Sequence, residues 1–123
     1  MSRIRKMLKR KSNPNLVTLI EELIKAGKNA AVWKDLAERL AKPRKLYASV
    51  NVSKIERYAK ADEFVVVPGK VLGSGNISKS VKVAALSFSE TAKEKIKAAG
   101  GECLNISELL KMNPSGSNVR IIT

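Results

Sequence analysis

The sequence predicts a mixed α/β domain, preceded by a basic arm and a helical hairpin, and three observations carry that expectation. Between Leu16 and Leu40 two stretches repeat apolar residues at helical spacing, separated by Gly27. A run rich in β-branched residues at 63–67 and a mostly apolar run at 81–86 follow. After these, Ser89 and Asn105 stand where helix caps belong, with a short strand-like run between them. A chain of 123 residues that is 44% hydrophobic is long enough to bury one core, built from Leu, Ile, Val and Ala because aromatics make up only 4%.

Taken in order, residues 1–12 hold six basic side chains and no acid. Like charges this dense favour an extended arm. Asn13-Pro14 reads as an N-cap followed by the first helical residue. Leu16, Val17, Leu19, Ile20, Leu23 and Ile24 then share one face, and Gly27 ends the helix. A second helix runs from near Asn29 to about Ala41 on the stripe Trp33, Leu36, Ala37, Leu40, and Pro43 stops it. Lys42-Pro43-Arg44-Lys45 is a basic connector.

Ser53-Lys54-Ile55-Glu56 has the capping-box spacing, predicting a short helix to about Lys60. Glu63 to Val67 is read as a strand bounded by Pro68-Gly69, and a loop rich in Gly and Ser covers 69–76. Val81 to Leu86 is an apolar and therefore central strand. Ser89 caps a helix with Glu90 in its first turn and Ala92, Ile96 and Ala99 on one face, closed by Gly100-Gly101. Glu102 to Leu104 is a strand. Asn105 and Glu108 open a short helix through Leu110, and Val119 to Ile122 is an edge strand after a polar loop.

Charge narrows the function. Twenty-four Lys and Arg against eleven Asp and Glu give +13 at neutral pH, and taking the six arm charges away leaves +7 on the rest. Such a field repels itself unless a polyanion neutralises it, and nucleic acid does so with release of condensed counterions. The chain has no His, which removes the usual general base and the commonest metal ligand. Its one cysteine, Cys103, allows no internal disulfide or Cys-rich zinc site and reads as a buried structural thiol, consistent with a reducing, intracellular setting. No run reaches the roughly 20 apolar residues of a membrane span. Neither metal nor cofactor nor small-molecule substrate is expected.

Gly73-Ser74-Gly75 invites a nucleotide-binding reading that the neighbours do not support. Ser78 stands where the dinucleotide fingerprint needs its third glycine, and Val71 follows Gly69-Lys70 where a phosphate-binding loop needs Ser or Thr. A tight turn is the favoured reading; a loop admitting RNA phosphates between Lys70 and Lys79 is the alternative. The acids Glu21, Glu22, Asp35, Glu38, Asp62 and Glu63 are explained as solvated charges rather than a catalytic pair, so no enzyme is expected. The absence of an aromatic pair of the RNP type points to phosphate and groove-shape contacts rather than stacking on a sheet.

From about Lys42 onward the order of motifs resembles a known family. Val52-Ser53-Lys54-Ile55, Gly69-Lys70-Val71-Leu72-Gly73, and Val81 through Ser89 with Ala92, Ile96 and Ala99-Gly100-Gly101 are similar to the eighteen-e family of large-subunit ribosomal proteins. The stretch 70–101 is also similar to the structurally related bacterial large-subunit protein fifteen, and the N-terminal hairpin fits the archaeal eighteen-e form better. The resemblance implies an irregular superhelix of β-β-α units and assembly into the large ribosomal subunit, in the cytoplasm. Large-subunit ribosomal RNA and neighbouring ribosomal proteins would be its partners, with no membrane.

The candidate RNA-binding residues are then Arg3, Arg5, Lys6, Lys9, Arg10 and Lys11 on the arm, Arg44 and Lys45 on the connector, and Lys54, Lys70, Lys79 and Lys82 on the body. Residues 1–12 are expected to form a flexible RNA-binding arm and 13–123 a single globular domain. The rival is an architectural DNA- or chromatin-binding protein, which charge alone would equally allow. It is disfavoured because the helices' apolar stripes are accounted for as core and none has an Arg-rich face.

Overall fold

The computed structural model describes residues 14–60 and 63–123; the arm and the expected Asn13 cap lie outside them. The two apolar stripes become α1 (Pro14–Ala26) and α2 (Ala31–Ala41), packed against each other as a hairpin. Ile20 and Leu23 on α1, and Trp33, Leu36, Ala37 and Leu40 on α2, are fully buried, while Leu16, Val17, Leu19 and Ile24 flank them half-buried. Burying each such aliphatic side chain is worth about 1.5–3 kcal/mol, which is what holds helices this short in place. The Trp33 indole N–H donates to the Pro114 carbonyl at 3.1 Å, tying the hairpin to the loop before the last strand.

A 3-10 turn at Arg44–Leu46 leads into β1 (Ala48–Asn51) and α3 (Val52–Tyr58). Strands β2 (Phe64–Leu72), β3 (Lys82–Phe88), β4 (Glu102–Asn105) and β5 (Val119–Ile121) follow, with α4 (Glu90–Ala98) and α5 (Ile106–Met112) between them. The order expected from the motifs, two strands and then a helix, is met at β2, β3 and α4.

All pairings in the five-stranded sheet are parallel. The order is β1-β2-β3-β4, and β5 shares β1's edge of β2, alongside Phe64 to Val66, where β1 takes Gly69 to Leu72. Helices cover both faces, as a parallel sheet requires. One core joins the hairpin and α5 to Val66, Ala84 and Leu104; the other joins α3 and α4 to Val65, Val67, Val71, Val83 and Ala85.

The structure corrects two local readings. Pro68-Gly69 does not end β2, which continues to Leu72. Between Val67 and Lys70 the chain advances three residues on β2 against two on β3, a bulge, and Pro68 is the residue where no neighbour pairs. Its missing N–H therefore costs no ladder bond. Gly69 beside it is required by close approach, since a Cβ there would stand 2.0 Å from the Ala48 carbonyl oxygen of β1.

The second correction concerns Ser53 and Glu56. Helix α3 starts at Val52 with Asn51 as its cap residue and no side-chain cap, so there is no capping box. Glu56 instead accepts from the backbone N–H of Ser78 at 2.5 Å, the Ser78 hydroxyl at 2.9 Å and the Lys79 N–H at 3.3 Å.

The other caps form as expected. Ser89 accepts from the Ala92 N–H, and Asn105 with Glu108 makes a reciprocal capping box. Gly100, at φ +86°, ends α4.

Candidate nucleic-acid interface

Glu56 and Glu63 show how the chain uses some of its few acids. Three hydrogen bonds to the turn at Ser78 and Lys79, the Ser78 N–H foremost, hold the Glu56 carboxyl below the usual carboxylate range. Glu63 is held low mainly by Arg120, whose guanidinium Nε donates to both its oxygens at 2.9 and 3.1 Å. Asp35–Arg39 and Glu90–Lys93 form two further ion pairs. The positive charge of the chain thus exceeds what these ion pairs neutralise.

Among the described residues the candidate cations do not converge on one cleft. Arg44 and Lys45 are exposed on the turn before β1, next to Leu46, which is 62% exposed. Lys70 is exposed on β2, in register with Ser49 of β1 and Ser87 of β3. Lys82 opens β3 at the other end of the sheet, five residues from Ser87 and so roughly 17 Å from it along the strand. Its ammonium lies 5.6 Å from the Phe64 ring centroid, and it pairs in register with Glu102.

Two further candidates have partners inside the fold. Lys54, exposed on α3, donates to the Thr123 carbonyl. Lys79, half-buried, donates to the Ala59 carbonyl at 2.7 Å just past the end of α3. Both ammonium groups thus help to hold α3 in place. The six arm candidates lie outside the described residues.

The Gly-Ser loop is a packing junction. A Cβ on Gly73 would meet Thr91 Cβ at 2.6 Å at the start of α4, and one on Gly75 would meet Ser53 Cβ at 2.4 Å at the start of α3. Lys95 of α4 donates to the carbonyls of Gly73 and Gly75, both at 2.6 Å. The glycines thus bring two helices close to the loop, which fits the tight-turn reading. Lys95 is the structural lysine that sequence reasoning missed, because its partners lie 20 and 22 residues away. Lys25, Lys28 and Lys34 of the hairpin and Arg57 and Lys60 around the end of α3 are further exposed cations that the sequence reading did not single out. Their only signal was position outside an apolar stripe.

Cys103 is half-buried against the α3–α4 core, and burial raises its thiol pKa. Among the described residues no group of His, Cys, Asp and Glu is placed to hold a metal, and no helix is long and apolar enough to cross a membrane.

A family model described as ribosomal protein 60S L18 and 50S L18e matches residues 2–123. The chain belongs to this family. A curated relative from Archaeoglobus fulgidus, called large ribosomal subunit protein eL18, is 70% identical over 115 residues, covering 92% of this chain and 98% of its own. Relatives of the same name from Methanothermobacter thermautotrophicus and Haloarcula marismortui are each 53% identical over 114 residues. These cover 91% of this chain and 94% and 97% of their own. The family resemblance drawn from the Gly-loop and Gly-Gly motifs is thereby established.

Proposed function

We propose that the chain is a structural constituent of the large ribosomal subunit that binds and stabilises folded ribosomal RNA through its basic side chains, without turnover. The observation that carries this reading is the family match across residues 2–123, to relatives named as large-subunit proteins. The uncompensated charge supports it: three ion pairs among the described residues leave exposed cations at the connector, on β2 and along the hairpin.

On this reading residues 1–12 are a flexible arm that orders on RNA, and 13–123 form one rRNA-binding domain. Arg44, Lys45 and Lys70 reach phosphates directly, while Lys54 and Lys79 both support α3 and add to the local field. Neighbouring ribosomal proteins would pack alongside, within cytoplasmic ribosomes.

The test is a salt titration of binding to large-subunit rRNA, comparing the full chain with one lacking residues 1–12, with duplex DNA as competitor. Preference for rRNA is expected. Deleting the arm should reduce the log–log salt slope by about 0.9 for every phosphate that the arm neutralises. Equal affinity for rRNA and DNA would overturn the reading in favour of an architectural DNA-binding role.

A further inference from the structure

Helix α3 carries an exposed aromatic surrounded by cations, a feature that neither core packing nor phosphate contacts use. Tyr58, its last residue, is 51% exposed, although most large apolar side chains in the described residues are covered. The Arg57 guanidinium lies 6.0 Å from the Tyr58 ring centroid, within cation–π range. Lys54 precedes Tyr58 by four residues, hence on the same side of the helix. Lys79 brings a further ammonium to the same end of α3 through the Ala59 carbonyl, and Lys60 is exposed two residues beyond Tyr58. The one acid of this helix, Glu56, is engaged by the Ser78–Lys79 turn and offsets part of the Lys79 charge.

We propose that the outer face of α3 is a nucleotide-stacking site: an unpaired base of the RNA stacks on Tyr58, and the adjoining phosphates are held by Arg57 and Lys60, with Lys54 adding to the local field. This rests on the rRNA-binding reading and deepens it. Arg57 lies against the ring while about half of the residue stays open to solvent, and every base offers a π-face regardless of sequence. An exposed tyrosine ringed only by apolar side chains would instead suit a protein neighbour. The cations Arg57, Lys54, Lys60 and Lys79 make the site complementary to a polyanion. The contact also differs in kind from the other candidates, since phosphate contacts position an RNA whereas a stacked base requires a nucleotide free of its helix.

The experiment uses the full chain and its Tyr58→Trp, Tyr58→Ala and Tyr58→Phe variants, with large-subunit rRNA, a single-stranded adenosine oligonucleotide and inorganic polyphosphate as ligands. Trp33 is fully buried, so a tryptophan at 58 reports on the surface against a steady background. Quenching of Tyr58→Trp by rRNA and oligonucleotide, but not by polyphosphate, is expected. Tyr58→Ala should weaken rRNA binding about 5- to 100-fold with an unchanged salt slope, and Tyr58→Phe should bind nearly as well as the parent. Parent-like binding by Tyr58→Ala, or equal quenching by polyphosphate, overturns the stacking site while leaving rRNA binding intact. Parent-like RNA binding combined with poor incorporation into large subunits overturns it in favour of a protein neighbour on Tyr58. Failure of the parent to prefer rRNA removes both proposals together.

Discussion

Lys95→Met separates the lysines that hold the fold from those that face a partner. Methionine keeps most of the side-chain length and packing while removing the ammonium that donates to Gly73 and Gly75. The Gly73 bond is part-buried and the Gly75 bond exposed. Hydrogen bonds to charged groups contribute about 1.5–3 kcal/mol, and solvent competition discounts the exposed one to roughly 0.5 kcal/mol. Together the two bonds are worth about 2 kcal/mol. For a domain of this size each kcal/mol moves Tm by about 4 °C, so a drop near 8 °C is expected by far-UV circular dichroism. Lys97→Met is the control. It lies on the same last turn of α4 and is exposed, and among the described residues its ammonium makes no hydrogen bond or ion pair, only its backbone carbonyl accepting from the Gly100 N–H. Its Tm should stay within about 1 °C of the parent. Equal effects of the two substitutions would refute the reasoning, because net charge and helix-dipole changes are the same in both.

Gly75→Ala should destabilise more than Gly100→Ala. Both sites have positive φ, of +89° and +86°, at a cost of about 1–2 kcal/mol to any L-residue, but only the Cβ at 75 also collides, 2.4 Å from Ser53 Cβ. Urea midpoints of the two variants decide it. The Glu63–Arg120 pair should make stability fall in acid. A folded-state pKa below the ordinary 4.5 contributes stability that is fully present above that value and is lost as pH falls through the folded pKa. In urea melts, the gap between the parent and Glu63→Gln should therefore shrink below about pH 4.5; a constant gap would show that the ion pair is not its source. Cys103, with its pKa raised by burial, should react slowly with a thiol reagent at pH 7 in the folded protein and fully in denaturant. Equal rates in both conditions would show that the thiol is not shielded.

What the sequence by itself determined was whatever depends on neighbours within a turn or two. The stripes of α1 and α2, the Ser89 cap, the Asn105–Glu108 box and the Gly100 terminus all formed where spacing placed them, because a helix face and its cap are written in residues i to i+4. The family was legible for a related reason: its motifs are runs of small residues and glycines whose spacing the fold demands.

Only the tertiary structure decided which side of that pattern each ambiguous residue took. Glu56 had the spacing of a cap, yet its partners at Ser78 and Lys79 lie 22 and 23 residues away, and three convergent donors outcompete one N-cap amide. Pro68 looked like the end of a strand because its tolerance depends on the strands along both edges of β2 leaving that position unpaired, which no local pattern encodes. The lysines were alike in the sequence, since any of them could reach phosphate. Packing assigned Lys95 to a loop and Lys79 to a helix end, and it left Tyr58 uncovered among cations, because a side chain's partner is set by which elements meet.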